Sequence, residues 1–179
     1  MAPTLASSPE RLRAAPLATP FHVVLVEPEI PPNTGNIARL CGATGSPLHL
    51  VGKLGFRIDE HAVRRAGLDY WHLVDVHTHT DFDAAQAALR LASEPRPFWL
   101  FSGRTAASLY DTEFKPGDQL VFGKESVGLS DELLERYPER CVAIPTLGAV
   151  RSLNLANAVS IALFEALRRS KAFVTTSLI

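Results

Sequence analysis

Three stretches of the chain concentrate side chains that can hold an anion or hydrogen-bond a polar ligand. The first is Glu27-Pro28-Glu29-Ile30-Pro31-Pro32-Asn33-Thr34-Gly35-Asn36-Ile37-Ala38-Arg39. Its proline-rich half is stiff, it presents two Asn amides, and Arg39 follows Asn33 inside a predicted helix. A helix N-terminus attracts anions, and a guanidinium suits bidentate phosphate contact. The plainer reading is a rigid capped turn with Arg39 as a solvated charge. The second stretch is Phe122-Gly123-Lys124-Glu125-Ser126-Val127-Gly128-Leu129. Two glycines after an apolar run let the backbone approach a ligand closely. Neither the Gly-Lys-Ser/Thr of a Walker loop nor GxGxxG is present, and a tight strand-to-helix turn explains the glycines equally well. The third runs from Ile144 through Ser152, Leu153, Asn154 and Asn157 to Ser160. There a strand exits into a loop and a helix opens, with Ser152 able to cap it. Asn is a poor helix residue, so Asn154 and Asn157 in one turn point to specific hydrogen bonds.

Other polar candidates carry less. His77 and His79 alternate on an extended segment with no third ligand nearby in sequence, so no metal site is expected. Arg64, Arg65 and Lys53 read as solvated charges that an RNA patch could recruit. Trp71 and Trp99 read as core. No Ser–His–Asp arrangement follows from sequence order.

The elements that must position these residues follow from apolar patterning. Strands are predicted over 22–26, 48–51, 71–76, 98–101, 119–122 and 141–144. Asn33 or Thr34 is expected to cap a helix with Ile37, Leu40, Cys41 and Thr44 on one face, stopped by Gly42 and Gly45. Asp59 is expected to cap a short helix through Leu68. Further helices are predicted over 81–92, from a Ser130 cap to about 137, and over about 153–171. Strand and helix alternate, and the strands are apolar on both faces. That is the pattern of an α/β fold, a parallel sheet with helices on both sides. In such sheets ligands bind beyond the carboxyl ends of the strands, where all three polar stretches fall.

The 179 residues, 46% apolar and 21% charged, suit one domain with a sizeable core. We read residues 21–175 as that domain and 1–20, rich in Ala, Pro and Ser, as a flexible extension. The extension has Arg11 and Arg13 but no apolar run, so it is not read as a secretory signal. No stretch approaches the roughly 20 apolar residues that span a bilayer, so no membrane partner is expected. Cys41 and Cys141 are too few for a disulfide framework and read as small core residues in a reducing, cytoplasmic compartment. The formal net charge of −1 gives no global basic signature. An RNA site must then be a local patch, or one assembled across a dimer.

In this order the three stretches resemble the three motifs of the SPOUT methyltransferases. They are most similar to the small single-domain tRNA (cytidine/uridine-34)-2′-O-methyltransferases. Residues 27–41 resemble the first motif, Arg65-Ala66-Gly67-Leu68-Asp69-Tyr70 a subfamily marker, 122–129 the second motif and 151–160 the third. Lys124 and Ser126 depart from the commoner Pro and Thr. The resemblance covers about 21–171. It implies a C-terminal deep trefoil knot, which periodicity could not show and which is an exception to the rule against threaded loops. It implies S-adenosylmethionine as cofactor, with S-adenosylhomocysteine as product and no metal. Leu100, Phe101, Gly123, Glu125, Ile144, Ser152 and Leu153 would lie at the cofactor. Arg39, Ser152 and Asn154 would lie at the reacting ribose. It also implies a homodimer packed through the first and last helices, with a composite active site in which Arg39 of one subunit meets the knot of the other, acting on the tRNA anticodon loop.

The chemistry so implied is in-line methyl transfer from a sulfonium to a ribose 2′-hydroxyl, where alignment supplies a large share of the rate. Arg keeps its proton above pH 12. We therefore expect Arg39 to anchor a phosphate and stabilise the developing alkoxide, while a phosphate oxygen or water takes the proton. The alternatives are a 2′-O-methyltransferase of ribosomal RNA and a non-catalytic RNA-binding protein of the same fold.

Overall fold

The computed structural model describes residues 12–56, 73–92, 97–173 and 176–178. The expected helix after Asp59, the Arg64-Arg65 pair and Trp71 lie outside them. The strands are β1 (Leu12–Ala14), β2 (His22–Val26), β3 (Leu48–Val51), β4 (Val76–His79), β5 (Phe98–Phe101), β6 (Gln119–Phe122), β7 (Cys141–Val142) and β8 (Thr176–Leu178). The α-helices are α1 (Pro31–Thr44), α2 (Phe82–Ala92), α3 (Asp131–Arg136) and α4 (Leu155–Arg169). Strands β2 to β7 form one sheet in the order β4-β3-β2-β6-β5-β7, and each neighbouring pair is parallel.

Alternation along the strands explains why both sheet faces are covered. Val23, Leu25, Leu48, Leu50, Leu120 and Phe122 point to one side, where Ile37, Ala38 and Cys41 of α1 and Val159, Ala162, Leu163 and Ala166 of α4 seal them. Val24, Val51, Phe98, Leu100 and Val121 point to the other, against Ala85 of α2 and Leu133 of α3. Both cysteines are buried, and burial pushes the Cys41 thiol up to about 12.

The chain is threaded through itself at β7. The Val142 carbonyl accepts from Ser102 N at 3.0 Å, on the β5 side. At Ala143 the backbone turns the other way, as successive strand residues must. It donates to the Ala107 carbonyl and accepts from Leu109 N, both at 2.8 Å. Residues 142–143 thus lie between β5 and 107–109, inside the loop that carries the chain from β5 to β6. From there the chain returns to place α4 on α1. This is the trefoil-knotted α/β arrangement.

Several local expectations are corrected. The N-cap of α1 is Ile30, not Asn33 or Thr34, because Pro at the first helical positions starts the helix earlier. Gly42 sits inside α1, and Gly45, in the left-handed region, ends it. The strand expected at 71–76 is Val76–His79, because the pairing follows β3 rather than the apolar residues 73–74. The last strand stops at Val142, since Ala143 already bonds to 107–109. Asn154, not Ser152, caps α4, its Oδ1 accepting from Ala156 N at 2.9 Å. Within the stretch read as a flexible extension, Leu12–Ala14 pairs antiparallel with Thr176–Leu178. Ser130 caps α3 as expected, accepting from Leu133 N.

Beneath α2, His22, His49, His77 and His79 form an array across β2, β3 and β4. His22 Nδ1 lies 3.0 Å from His49 Nε2, and His49 Nδ1 lies 2.9 Å from His79 Nε2. The His77 ring stacks on His49, with its Nε2 on Asp75. Among the described residues no group of His, Cys, Asp or Glu is arranged to hold a metal ion, and no helix is long and apolar enough to cross a membrane.

Candidate active site

The three polar stretches meet at the carboxyl end of the sheet. The sequence separates the first from the other two by nearly a hundred residues or more, but the sheet order sets β6 beside β2 and the knot sets α4 on α1. The loop after β2 therefore lies against both the loop after β6 and the start of α4.

Asn33 joins them. In the first turn of α1 and only 7% exposed, it donates from Nδ2 to Glu125 Oε1 at 2.9 Å and accepts at Oδ1 from Asn154 Nδ2 at 3.0 Å. Glu125 also accepts from the backbone N–H of Glu29 at 2.8 Å and of Ile30 at 3.2 Å. One carboxylate thus satisfies amides just ahead of α1, which its charge also suits. Asn154 divides its amide between two tasks, Oδ1 capping α4 and Nδ2 reaching Asn33. Two further contacts join the loops. Glu29 Oε2 accepts from Ser126 N at 3.0 Å, and Lys124 Nζ lies 2.7 Å from Glu27 Oε2. Hydrogen bonds from the Ser126 hydroxyl and backbone hold the Glu29 carboxyl below its usual range. The Glu27 carboxylate pushes the Lys124 ammonium above its own.

Gly123 is required by packing. A Cβ there would come within 2.1 Å of the Gly128 carbonyl carbon and 2.2 Å of Leu129 N. The turn closes on itself, with Gly128 N donating to the Lys124 carbonyl at 2.8 Å. It therefore presents Glu125 in one fixed place.

The residues expected at a cofactor fall into a row. Leu100 and Phe101 end β5, Gly123 follows β6, and Ile144 follows β7, three adjacent strands about 4.8 Å apart. Ser152 and Leu153 are exposed in the loop ahead of α4. That loop bares Leu147 (109% exposed), Val150 (72%) and Leu153 (38%). So much apolar side chain in seven residues suits a ligand with an apolar, aromatic part that would cover it. Beside the row, a cleft of about 390 Å³ opens between Ser102–Thr105 and α3.

Arg39 is exposed on α1. Six residues beyond Asn33, it lies about 9 Å further along the axis and about 240° around it. It therefore leaves the helix on a different face from the Asn33–Glu125–Asn154 chain.

Sequence reading singled out Glu125 and Asn154 but missed Asn33 as their link, and missed the pairs Glu27–Lys124 and Glu29–Ser126. The one signal for Asn33 was an amide in the first turn of a helix, which capping explains without a partner.

A knotted parallel sheet, with three loops meeting at its carboxyl end, defines the α/β-knot methyltransferase class. The chain belongs to the SpoU rRNA Methylase family, which matches residues 20–164. Among its relatives is the tRNA (cytidine(34)-2′-O)-methyltransferase of Burkholderia pseudomallei (strain 1106a), 48% identical over 151 residues, 84% of this chain and 96% of that protein. A solved structure concerned with 2-OH methylation of C/U34 on tRNA is 46% identical, with a TM-score of 0.78 over 86% of this chain and 97% of that one. The SpoU methyltransferase AviRb from Streptomyces viridochromogenes, solved in complex with AdoMet, is 26% identical, with a TM-score of 0.71 over 86% of this chain and 62% of that one.

Proposed function

We propose that this chain transfers a methyl group from S-adenosylmethionine to the ribose 2′-oxygen of the wobble nucleotide, cytidine or uridine 34, of tRNA. The observation that carries the reading is the Asn33–Glu125–Asn154 chain, which fixes three distant loops at one strand end. Relatives alike over nearly their whole length are enzymes of that name. Leu100, Phe101, Gly123, Ile144, Ser152 and Leu153 would hold the cofactor, with Glu125 fixing the loop beneath it, and the cofactor supplies an activated methyl group. Asn154 and Ser152 would orient the ribose. Arg39 would bind the neighbouring phosphate and stabilise charge developing on the 2′-oxygen.

Because Arg39 leaves α1 on another face, the complete site is composite, with Arg39 supplied by the partner of a homodimer. Ile161 and Phe164, 37% and 49% exposed on α4, suit such an interface. The protein acts in the cytoplasm as one domain over 21–175, flanked by the paired strands Leu12–Ala14 and Thr176–Leu178. The test is transfer from labelled S-adenosylmethionine to tRNA lacking wobble ribose methylation, mapped by nuclease digestion and mass spectrometry. A 2′-O-methyl group at nucleotide 34, lost in Asn154→Ala, is expected. Cofactor binding with transfer only to ribosomal RNA would overturn the tRNA assignment.

A further inference from the structure

Glu27 follows β2 with φ of 50°, in the left-handed region that residues with a Cβ rarely enter. Such outliers persist where the surroundings hold them, and they gather at functional sites. Three contacts hold this one. Its N–H donates to the Val51 carbonyl at 2.8 Å. Its side chain packs on Gly52, where a Cβ would lie 2.9 Å from Glu27 Cγ. Its carboxylate meets Lys124 Nζ at 2.7 Å. The backbone of the lysine is held in the rigid turn of Gly123–Gly128, and the Glu27 carboxylate holds the tip of its flexible side chain. Glu29 adds a second, weaker negative charge facing that ammonium. Along the seam between the two loops the rungs run in order: Lys124 to Glu27, Glu125 to Glu29, Ile30 and Asn33, and Ser126 to Glu29.

We infer that Lys124 and Glu27 form an ionic latch. It holds the β2–α1 turn in its left-handed form and thereby positions Glu125 and Asn33 for the cofactor. This rests on the methyltransferase reading. Both are positioning residues, acting through Glu125 rather than on the substrate. The pair is partly exposed, its side chains 34% and 40% accessible, so its effect is small and sensitive to salt.

The test uses the full-length protein without tRNA. S-Adenosylhomocysteine, a net-neutral zwitterion, is titrated calorimetrically into wild type, Lys124→Met, Glu27→Gln, the double variant and Lys124→Arg. The melting temperature of each apoprotein is measured alongside. Each single charge removal is expected to weaken binding roughly two- to five-fold, the range of an exposed pair. The double variant is expected to bind no worse than the weaker single one, and Lys124→Arg to bind like wild type. Raising NaCl from about 20 to about 500 mM should bring wild type to the level of the variants and leave the variants unmoved. Altered melting temperatures with unchanged cofactor affinity would overturn the latch. So would unchanged cofactor affinity with a raised KM for tRNA, which would make Lys124 an RNA contact. If wild type itself fails to bind S-adenosylhomocysteine, the methyltransferase reading falls and takes the latch with it. Normal wild-type binding matched by every variant overturns the latch alone.

Discussion

Replacing Asn33 by Asp would test the meeting of the three loops most directly. The two side chains have nearly the same shape, so packing is kept. What changes is the atom facing Glu125. Nδ2 donates to that carboxylate at 2.9 Å in the native protein, and an Asp would set a second carboxylate there. Two carboxylates at that distance cannot both stay ionised. The folded variant would hold a proton that the unfolded chain releases above about pH 4. A carboxyl raised in the folded state favours folding at low pH, and that contribution is lost as pH rises. Asn33→Asp should therefore be more destabilising at about pH 8 than at about pH 5, by about 1–3 kcal/mol. Asn33→Ala offers the reference. It removes one hydrogen bond to a charged group and one between amides, about 2–4 kcal/mol together. That corresponds to about 4–16 °C in melting temperature for a domain of this size. This loss should not depend on pH. Urea denaturation of the three proteins at both values gives the comparison, and the histidines cancel because each variant is referred to wild type at the same pH. If Asn33→Asp matched wild type at about pH 8, Asn33 would not be donating to an ionised Glu125, and the proposed linkage would fail.

Two further perturbations probe the framework. Gly123→Ala should cost about 3 kcal/mol or more, because its Cβ meets backbone that cannot move aside. Gly148→Ala, with open space around it, should stay within about 0.5 kcal/mol by the same denaturation assay. Burial first, then the neighbouring His22, His77 and His79, push the His49 imidazole down to about 3. The unfolded chain binds that proton near pH 6.5 and the folded one does not, so stability is full above about pH 6.5 and falls as pH drops toward 3, by up to ~1.4 kcal/mol per pH unit. A stability profile measured from about pH 7.5 to about pH 4.5 should be flatter in His49→Leu; identical slopes would refute the assignment.

The parallel sheet was legible because each buried strand carries apolar residues on both faces, as Val23-Val24-Leu25 does. Helix ends were less so. A chemically reasonable cap was visible at Ser130 and found there, but Asn33 and Ser152 looked equally reasonable and do not cap. In α1 the prolines decide the start, and in α4 Asn154, two residues beyond Ser152, takes the position. The sheet order could not be read at all. Nothing in the local pattern of Gln119–Phe122 says that it lies beside His22–Val26 rather than beside Leu48–Val51. Hence the long-range rungs were invisible, although most of their residues had been noted one by one. Asn33 shows this most clearly, since its meaning depends on partners 92 and 121 residues away.

The position of Arg39 carries the strongest claim about assembly, and it can be tested by mixing subunits. If Arg39 serves the site of its own chain, a heterodimer of Arg39→Ala and Asn154→Ala carries one defect in each of its two sites, and no site is intact. If it serves the partner, a heterodimer of the two variants contains one site with both defects and one with neither. The intact site draws its Arg39 from the Asn154→Ala subunit and its knot from the Arg39→Ala subunit. Random reassembly of equal amounts makes about half the dimers mixed, so about one quarter of all sites are intact. Each variant alone should be nearly inactive in methyl transfer to tRNA, and the reassembled mixture should recover about a quarter of the wild-type rate. The helix geometry favours this outcome, because a guanidinium about 240° around α1 from Asn33 is turned from the Asn33–Glu125–Asn154 chain of its own subunit. A mixture no more active than its components, with heterodimers demonstrated by mass spectrometry, would return Arg39 to its own chain and remove the reason for a composite site.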